Sequence, residues 1–152
     1  MRREIAALAL GIGAGVILLG CGGGGEPSKE LAQHLLTGSI TVREGARAGL
    51  GGECIIGSES RYSDIKAGTQ VRIKDENDLI IAIGELDKGH IANISRSPDT
   101  VLSEFDCEFP FSIPYIPELR SYSVEVSHRK GPTFSLDDMK ENKWSVDLTL
   151  GD

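Results

Sequence analysis

One ten-residue segment constrains the fold of this chain more than any other. Between Glu104 and Ile113, an apolar side chain occupies every second position, and acidic or polar side chains occupy most positions between them. A period of two predicts a β-strand with one buried face and one solvated face. Pro110 lies on the solvated phase, so we expect a sheet edge or a bulge there. The buried face would carry Phe105, Cys107, Phe109, Phe111 and Ile113.

Several further segments have the composition of short strands. They are rich in Ile, Val, Thr and Tyr, and they are separated by Gly, Asp, Asn, Pro or Ser. The spacing shows no strand–helix–strand repeat. We therefore predict an all-β fold, an antiparallel β-sandwich of immunoglobulin-like or transthyretin-like type. The predicted strands are residues 40–42, 53–57, 69–74, 79–86, 90–94, 122–128 and 144–150.

One segment near the C-terminus predicts a short helix instead. Ser135 can cap a helix whose third residue is Asp138, an arrangement similar to a capping box with Asp in place of Glu. Leu136 and Met139 would share the inner face of that helix. We therefore expect one late helical turn before the last strand of the sandwich.

Length and charge narrow the possible functions. The chain has 152 residues, which corresponds to one domain, and its 39% hydrophobic content argues against a disordered chain. Sixteen basic and 23 acidic residues give a formal net charge of −7. Because contacts to phosphates need a basic surface, this balance argues against nucleic acid as a partner.

The first residues have the order of an export signal. Arg2 and Arg3 precede an uncharged apolar run, Ile5–Leu19, which is shorter than the ~20 residues of a transmembrane helix. The run ends in Leu-Leu-Gly followed by Cys21, which resembles the lipobox of bacterial lipoproteins. The resemblance implies that residues 1–20 are a cleaved signal peptide and that Cys21 carries lipid on the outer face of the cell membrane. An uncleaved membrane anchor is the alternative.

The glycine-rich stretch after Cys21 is typical of a flexible linker. We assign residues 21–37 to the lipidated cysteine and its linker, and residues 38–152 to the β-sandwich domain. An acidic domain on such a linker would be repelled by anionic headgroups and would stand away from the membrane surface.

The cysteine count fits an oxidising compartment. If Cys21 carries lipid, Cys54 and Cys107 are left as an even pair, and we expect a disulfide between them. The loop that it closes would contribute about 4 kcal/mol in the chain-entropy model. Two buried free thiols are the alternative. The sequence has no CxxC and no histidine near either cysteine, so we expect no metal site at these thiols.

Several phrases of the mature segment recur together in one family. The segment resembles small uncharacterised actinobacterial lipoproteins and secreted proteins over residues 37–151. The resemblance implies a sandwich fold and no assigned activity. The chain differs at residues 55–61, where relatives tend to be richer in glycine. The shared phrases are Thr37–Ile40, Tyr62–Ile65, Gly68–Val71, Cys107–Phe111, Tyr122–His128 and Trp144–Val146.

The best candidates for a recognition surface are Arg61, Tyr62 and Asp64. They lie in a predicted loop after Cys54, and loops carry binding residues more often than strands do. The alternative is a structural turn, in which Asp64 caps backbone amides and Tyr62 packs on the disulfide.

A hydrolase would need a nucleophile, a base and an acid. His128 could be grouped with Ser127 or Ser135 and with Asp137 or Asp138. The chain has no Gly-x-Ser-x-Gly elbow to hold such a nucleophile, which argues against catalysis.

Two acidic groups could also carry chemistry. Glu104, Asp106 and Glu108 share one face of a predicted strand, as a carboxylate pair for glycoside hydrolysis would require. No aromatic platform for sugar stacking accompanies them, so we favour a solvated strand face. The segment Asp75–Asp78 offers oxygen ligands for calcium, but a polar hairpin tip accounts for the same residues. We predict neither a cofactor nor a metal.

These patterns favour a membrane-anchored extracytoplasmic lipoprotein. We expect it to act as a non-enzymatic binding or structural module of the cell envelope, with an envelope protein or a small ligand as partner. The alternative is a small-ligand carrier whose pocket lies between the sheets around Phe109. A hydrolase that uses His128 is the third hypothesis.

Overall fold

The computed structural model describes residues 32–96 and 103–151. Within these residues the chain forms ten strands, one α-helix and a short 3₁₀ turn at Leu50–Gly52. In chain order the elements are β1 Gln33–Val42, β2 Ala46–Ala48, β3 Cys54–Ile56, β4 Gln70–Lys74, β5 Ile80–Glu85, β6 His90–Arg96, β7 Ser103–Pro117, β8 Ser121–Val126, β9 Arg129–Ser135, α1 Leu136–Glu141 and β10 Ser145–Leu150.

Two four-stranded sheets make up most of the fold. The first sheet has the order β10-β1-β7-β6 and the second sheet has the order β5-β4-β8-β9, while β2 and β3 form a separate ribbon. Neighbouring strands are antiparallel, except that β1 and β10 are parallel. The all-β prediction is confirmed, in sandwich-like form with antiparallel-rich sheets. The parallel pair was not predicted, because the sequence does not show which strands become neighbours.

Strand β7 carries the inner face that its alternation predicted. It pairs with β1 along most of its length, and the side chains of Cys107, Phe109, Phe111 and Ile113 are at most 2% exposed. Burial of these apolar side chains, together with those of the second sheet, forms one contiguous core. The largest completely buried members include Tyr122, Leu36, Ile40, Ile65, Ile73 and Met139.

The environment of Pro110 explains why a proline is tolerated in this strand. Strand β6 pairs with β7 only as far as Glu108, so Pro110 lies beyond the end of that partner. Its carbonyl accepts a hydrogen bond from the Asp87 amide at 2.8 Å. Of the two predicted alternatives at Pro110, the sheet edge is present, because β6 ends before this residue. The bulge is not, because the register with β1 continues through Pro110.

The folded domain begins inside the stretch that the sequence analysis assigned to a linker. Strand β1 starts at Gln33, so residues 33–37 belong to the first sheet. The His34 ring stacks on Trp144 with 3.9 Å between ring centroids, and its Nε2 lies 3.1 Å from a Glu118 carboxylate oxygen. Cys21 and the predicted signal peptide lie outside the described residues.

Strand β9 was also missed by the sequence analysis. Gly131 and Pro132 lie inside it, and both residue types are unfavourable in strands. The strand tolerates them because β9 is the outermost strand of the second sheet and its pairing with β8 is irregular at these residues.

The predicted helix α1 forms with caps at both ends. Ser135 and Asp138 make the capping box, and Met139 is buried on the inner face. At the other end, the Trp144 amide donates to the Met139 carbonyl at 2.7 Å and the Lys143 amide donates to the Lys140 carbonyl at 3.1 Å. These two bonds are those of a Schellman motif. No helix among the described residues is long and apolar enough to span a membrane.

The helix end predicts a stabilising substitution. Lys143 occupies the left-handed position of the Schellman motif at φ 53°, where glycine is strongly preferred. We expect Lys143→Gly to raise the free energy of unfolding by about 0.5–1 kcal/mol, because it removes the steric cost of that conformation. Denaturant unfolding measures the change. Lys143→Ala keeps the Cβ and is the matched control, so an equal gain from alanine would contradict the explanation.

The predicted disulfide is confirmed. Cys54 of β3 is bonded to Cys107 of β7, with their Cα atoms 5.4 Å apart, and both residues are buried. The bond fastens the β2–β3 ribbon to the centre of the first sheet. The two cysteines are 53 positions apart, so the bond restricts a large part of the unfolded chain.

Removal of both sulfurs tests this contribution. We expect the double variant Cys54→Ala, Cys107→Ala to lose about 4 kcal/mol of unfolding free energy, mainly because the unfolded chain gains loop entropy. Urea unfolding of the protein measures the loss, and the wild type unfolded in reductant should match the variant. A loss below about 1 kcal/mol would contradict this account.

Candidate functional site

Loop 57–69 connects β3 to β4 and holds the predicted recognition residues. Its turns are fixed by local bonds: the Tyr62 amide donates to the Ser60 hydroxyl at 3.1 Å, and the Thr69 hydroxyl donates to the Asp64 carbonyl at 2.7 Å. Ile65 is completely buried and attaches the loop to the core. The loop is therefore a compact structure with defined side-chain positions.

Arg129 holds this loop against the second sheet. Its guanidinium forms an ion pair with the Asp64 carboxylate and donates to the Arg61 carbonyl oxygen at 2.7 Å. It also lies 5.4 Å from the centre of the Tyr62 ring, while the Arg61 guanidinium lies 5.0 Å from the same ring. Both distances are in the range of cation–π contacts. The structure thus brings Arg61, Tyr62 and Asp64 together, with Arg129 as their common partner.

Sequence reasoning did not identify Arg129 as a site residue. It lies 65 positions after Asp64 and reaches the loop only because the β8–β9 hairpin places it there. No local motif marks such a contact.

The Asp64 carboxylate is stabilised in its ionised form. Partial burial raises its pKa, but the hydrogen bonds from Arg129 and Ser127 outweigh burial, and the pKa lies below its ordinary value of 3.8. The carboxylate is therefore charged at neutral pH and keeps its partner. The Asp64 carboxylate therefore bonds to side chains outside its own turn. In the structural alternative for this loop, it would cap backbone amides of that turn.

A charged cleft lies beside the loop. It has a volume of about 610 Å³ and is lined by residues 44, 45 and 47 and by residues 57 and 59–61 of the loop. Two ion pairs cross it: Arg47 to Glu59 at 2.9 Å and Arg61 to Glu44 at 2.6 Å. The side chains of both arginines are 60% exposed. The cleft therefore presents two cations and two anions to solvent.

His128 does not complete a catalytic relay. The Ser127 hydroxyl lies 3.2 Å from its Nδ1, and the Asp64 carboxylate lies 3.7 Å from the same nitrogen. A serine hydrolase needs the nucleophile and the acid on different ring nitrogens. The predicted partners Ser135 and Asp138 form the helix cap at the far end of β9, roughly 20 Å along the strand, and Asp137 follows in that helix.

The other acidic groups also have structural partners. Asp106 accepts a hydrogen bond from Asn93 at 3.0 Å, and a carboxylate oxygen of Glu108 lies 3.5 Å from His90 Nε2. The Asp75 carboxylate accepts hydrogen bonds from the amides of residues 77 and 79 at 2.8 and 2.9 Å, as in a polar hairpin tip. In the part of the chain that the structure describes, no three His, Cys, Asp or Glu residues are grouped to hold a metal ion.

Comparison of the chain with models of known protein families, with curated proteins and with solved structures finds no match. The lipobox and family resemblances therefore stay predictions. The candidate site is defined by its geometry alone.

The Asp64–Arg129 pair predicts a pH-dependent contribution to stability. A carboxyl whose pKa is lowered by folding stabilises the fold above its unfolded pKa, and this contribution is lost as the pH falls through the folded value. We expect Asp64→Asn to lose about 1 kcal/mol of unfolding free energy at pH 7, since the pair is partly exposed.

The loss should shrink as the pH falls below about 3.8, the ordinary pKa of Asp64. Denaturant unfolding at a series of pH values measures it. Asp87→Asn is the control, because Asp87 is exposed and its side chain forms no bond with any other described residue. A constant difference between wild type and Asp64→Asn down to pH 2 would contradict the ion pair's role.

Proposed function

We propose that this chain is a lipid-anchored protein on the outer face of the bacterial cell membrane. In this proposal it acts as a non-enzymatic binding module, and loop 57–69 with its charged cleft is the contact surface. The partner is a polar, charged surface of another envelope component.

The anchor is supported by the order of features near the N-terminus. A basic head, an apolar run and the lipobox-like Leu-Leu-Gly precede Cys21. The glycine-rich residues that follow Cys21 have the composition of a flexible linker, as a tethered domain requires. The buried disulfide adds support, because such bonds persist mainly in oxidising compartments.

The observation that carries the binding proposal is that Tyr62, Arg61 and Arg129 are held in fixed positions. Arg129 joins the loop to the second sheet through Asp64 and the Arg61 carbonyl, so the loop has little freedom to lose on binding. Tyrosine and arginine are among the residue types enriched at the positions that dominate binding energy at interfaces. A loop that orders them before contact is suited to recognition.

The ion pairs of the cleft support the same use. Exposed ion pairs contribute only about 0–1 kcal/mol each, so a partner can replace them at small cost. A partner with its own acidic and basic groups could pair with Arg47 and Arg61 on one side and with Glu44 and Glu59 on the other. Such an exchange gives specificity for charge pattern more than it gives affinity.

Site-directed photo-crosslinking in intact cells tests this proposal. A photoreactive amino acid at the exposed loop position Ser63 should capture a defined partner. The same group at the exposed helix position Glu141 is the matched control and should not. The double charge reversal Arg47→Glu, Arg61→Glu should abolish the Ser63 product, because it removes the cationic half of the cleft.

The anchor is tested in the same cells. The wild type should be found in the membrane fraction, and Cys21→Ser should leave the chain without lipid. Equal capture from Ser63 and Glu141, or a Ser63 product that survives the charge reversal, would overturn the contact surface. A wild type that retains Met1 and carries no lipid would overturn the anchor.

A further inference from the structure

The two arginines of the charged cleft are held by more than their ion pairs. Arg47 lies against the main chain of Gly57, where a Cβ would come within 2.7 Å of the Arg47 Nε and 3.0 Å of its Cζ. Glycine at position 57 leaves room for this contact. The Arg61 guanidinium lies over the Tyr62 ring, 5.0 Å from its centre. Each guanidinium therefore has a second contact that fixes its position.

The two carboxylates of the cleft are bonded by these arginines. The Glu59 side chain is 70% exposed, and its carboxylate accepts a hydrogen bond from Arg47 at 2.9 Å. The Glu44 side chain is 43% exposed, and its carboxylate accepts a hydrogen bond from Arg61 at 2.6 Å. If a carboxylate left its partner, it would turn into solvent, whereas the guanidinium would keep its contact with the cleft.

Bonds of the main chain hold the two walls of the cleft together. The Gly57 amide donates to the Gly45 carbonyl at 2.8 Å, and the Ser60 hydroxyl donates to the Glu44 carbonyl at 3.4 Å. Gly45 has a φ of 76°, and a Cβ there would lie 2.6 Å from the Ser60 Cβ. The walls therefore stay in place when the ion pairs are exchanged, so a ligand meets a preformed cleft.

The internal ion pairs show which chemical group the arginines accept. A guanidinium presents its N–H groups in a planar fork that matches a carboxylate. Glu44 and Glu59 supply that group from the chain itself. Exposed ion pairs of this kind contribute little to stability, so carboxylates of a partner can replace the internal ones at small cost.

A basic partner fits the cleft less well than an acidic one. To bind Glu44 and Glu59, it would have to draw them away from the arginines. Both guanidiniums would then lie without carboxylates while Tyr62 and Gly57 still hold them between the walls. The net charge of −7 attracts basic molecules to the protein as a whole, but it does not select this cleft.

We propose that Arg47 and Arg61 bind two carboxylates of an acidic segment on a partner protein. Glu44 and Glu59 occupy the arginines until the partner displaces them. This inference rests on the proposed function, because it names the chemistry of the partner at the same cleft. The net charge of −7 repels an acidic partner over the rest of the surface, which confines contact to the arginines.

Peptide binding to the full chain tests the role of the internal carboxylates. The probes are terminally blocked peptides with two glutamates separated by glycine spacers of increasing length, and titration calorimetry at low ionic strength measures their Kd. We expect Glu44→Gln, Glu59→Gln to tighten binding of the best probe by about fivefold, because the internal carboxylates no longer compete. The matched control is Glu76→Gln, Glu141→Gln, which removes two exposed carboxylates outside the cleft and should leave the Kd unchanged.

The fork geometry of the arginines has its own test. Arg47→Lys, Arg61→Lys keeps both positive charges but loses the paired donors, so it should weaken binding of the best probe by about tenfold. Glutamate peptides that do not bind, or that bind more weakly than the same peptides with lysine, would overturn the proposal. So would equal gains in the two glutamine variants, or inorganic phosphate bound as tightly as the best peptide.

Crosslinking in cells separates this inference from the proposed function. With the photoreactive group at Ser63, Glu44→Gln, Glu59→Gln should raise the yield of the crosslinked product. A lower yield would overturn the acidic partner, but the product itself would still mark loop 57–69 as the contact surface. Absence of any Ser63 product would overturn the proposed function instead.

Discussion

The pairing of β7 with β1 is the constraint on which the rest of the structure depends. Strand β7 runs for 15 residues and joins β1 on one side and β6 on the other, while β1 holds β10. Through Cys107 it fastens the β2–β3 ribbon, and through Phe111 it meets the second sheet. The buried face of β7 therefore fixes the packing of the core and the points at which loops leave the sheets.

Arg129 connects that framework to the surface. It begins β9 and ties Asp64 and Arg61 of loop 57–69 to the second sheet. One guanidinium therefore orders the candidate recognition loop. Its burial is moderate, at 22% exposure, so its ion pair with Asp64 is shielded from solvent more than the ion pairs of the cleft.

Local patterns predicted much of the fold and the loop residues of the candidate site, but not Arg129, which joins them from a distant strand. The alternation around Phe109 gave the inner face of β7, and the Ser135–Asp138 spacing gave the helix cap, because both depend on neighbours close in sequence. The start of β1 was missed because residues 33–37 do not alternate, and the contact that fixes them is the stack of His34 on Trp144. That contact joins opposite ends of the described chain.

The sequence by itself determined which residues alternate, where the chain turns and which cysteines could pair. Those properties come from side-chain chemistry and from a backbone that repeats every two residues in a strand. The tertiary structure alone decided that β1 and β10 run in parallel, that Arg129 meets Asp64, and that His34 stacks on Trp144. Each of these depends on which distant segments become neighbours, and that follows from burying the whole apolar surface at once.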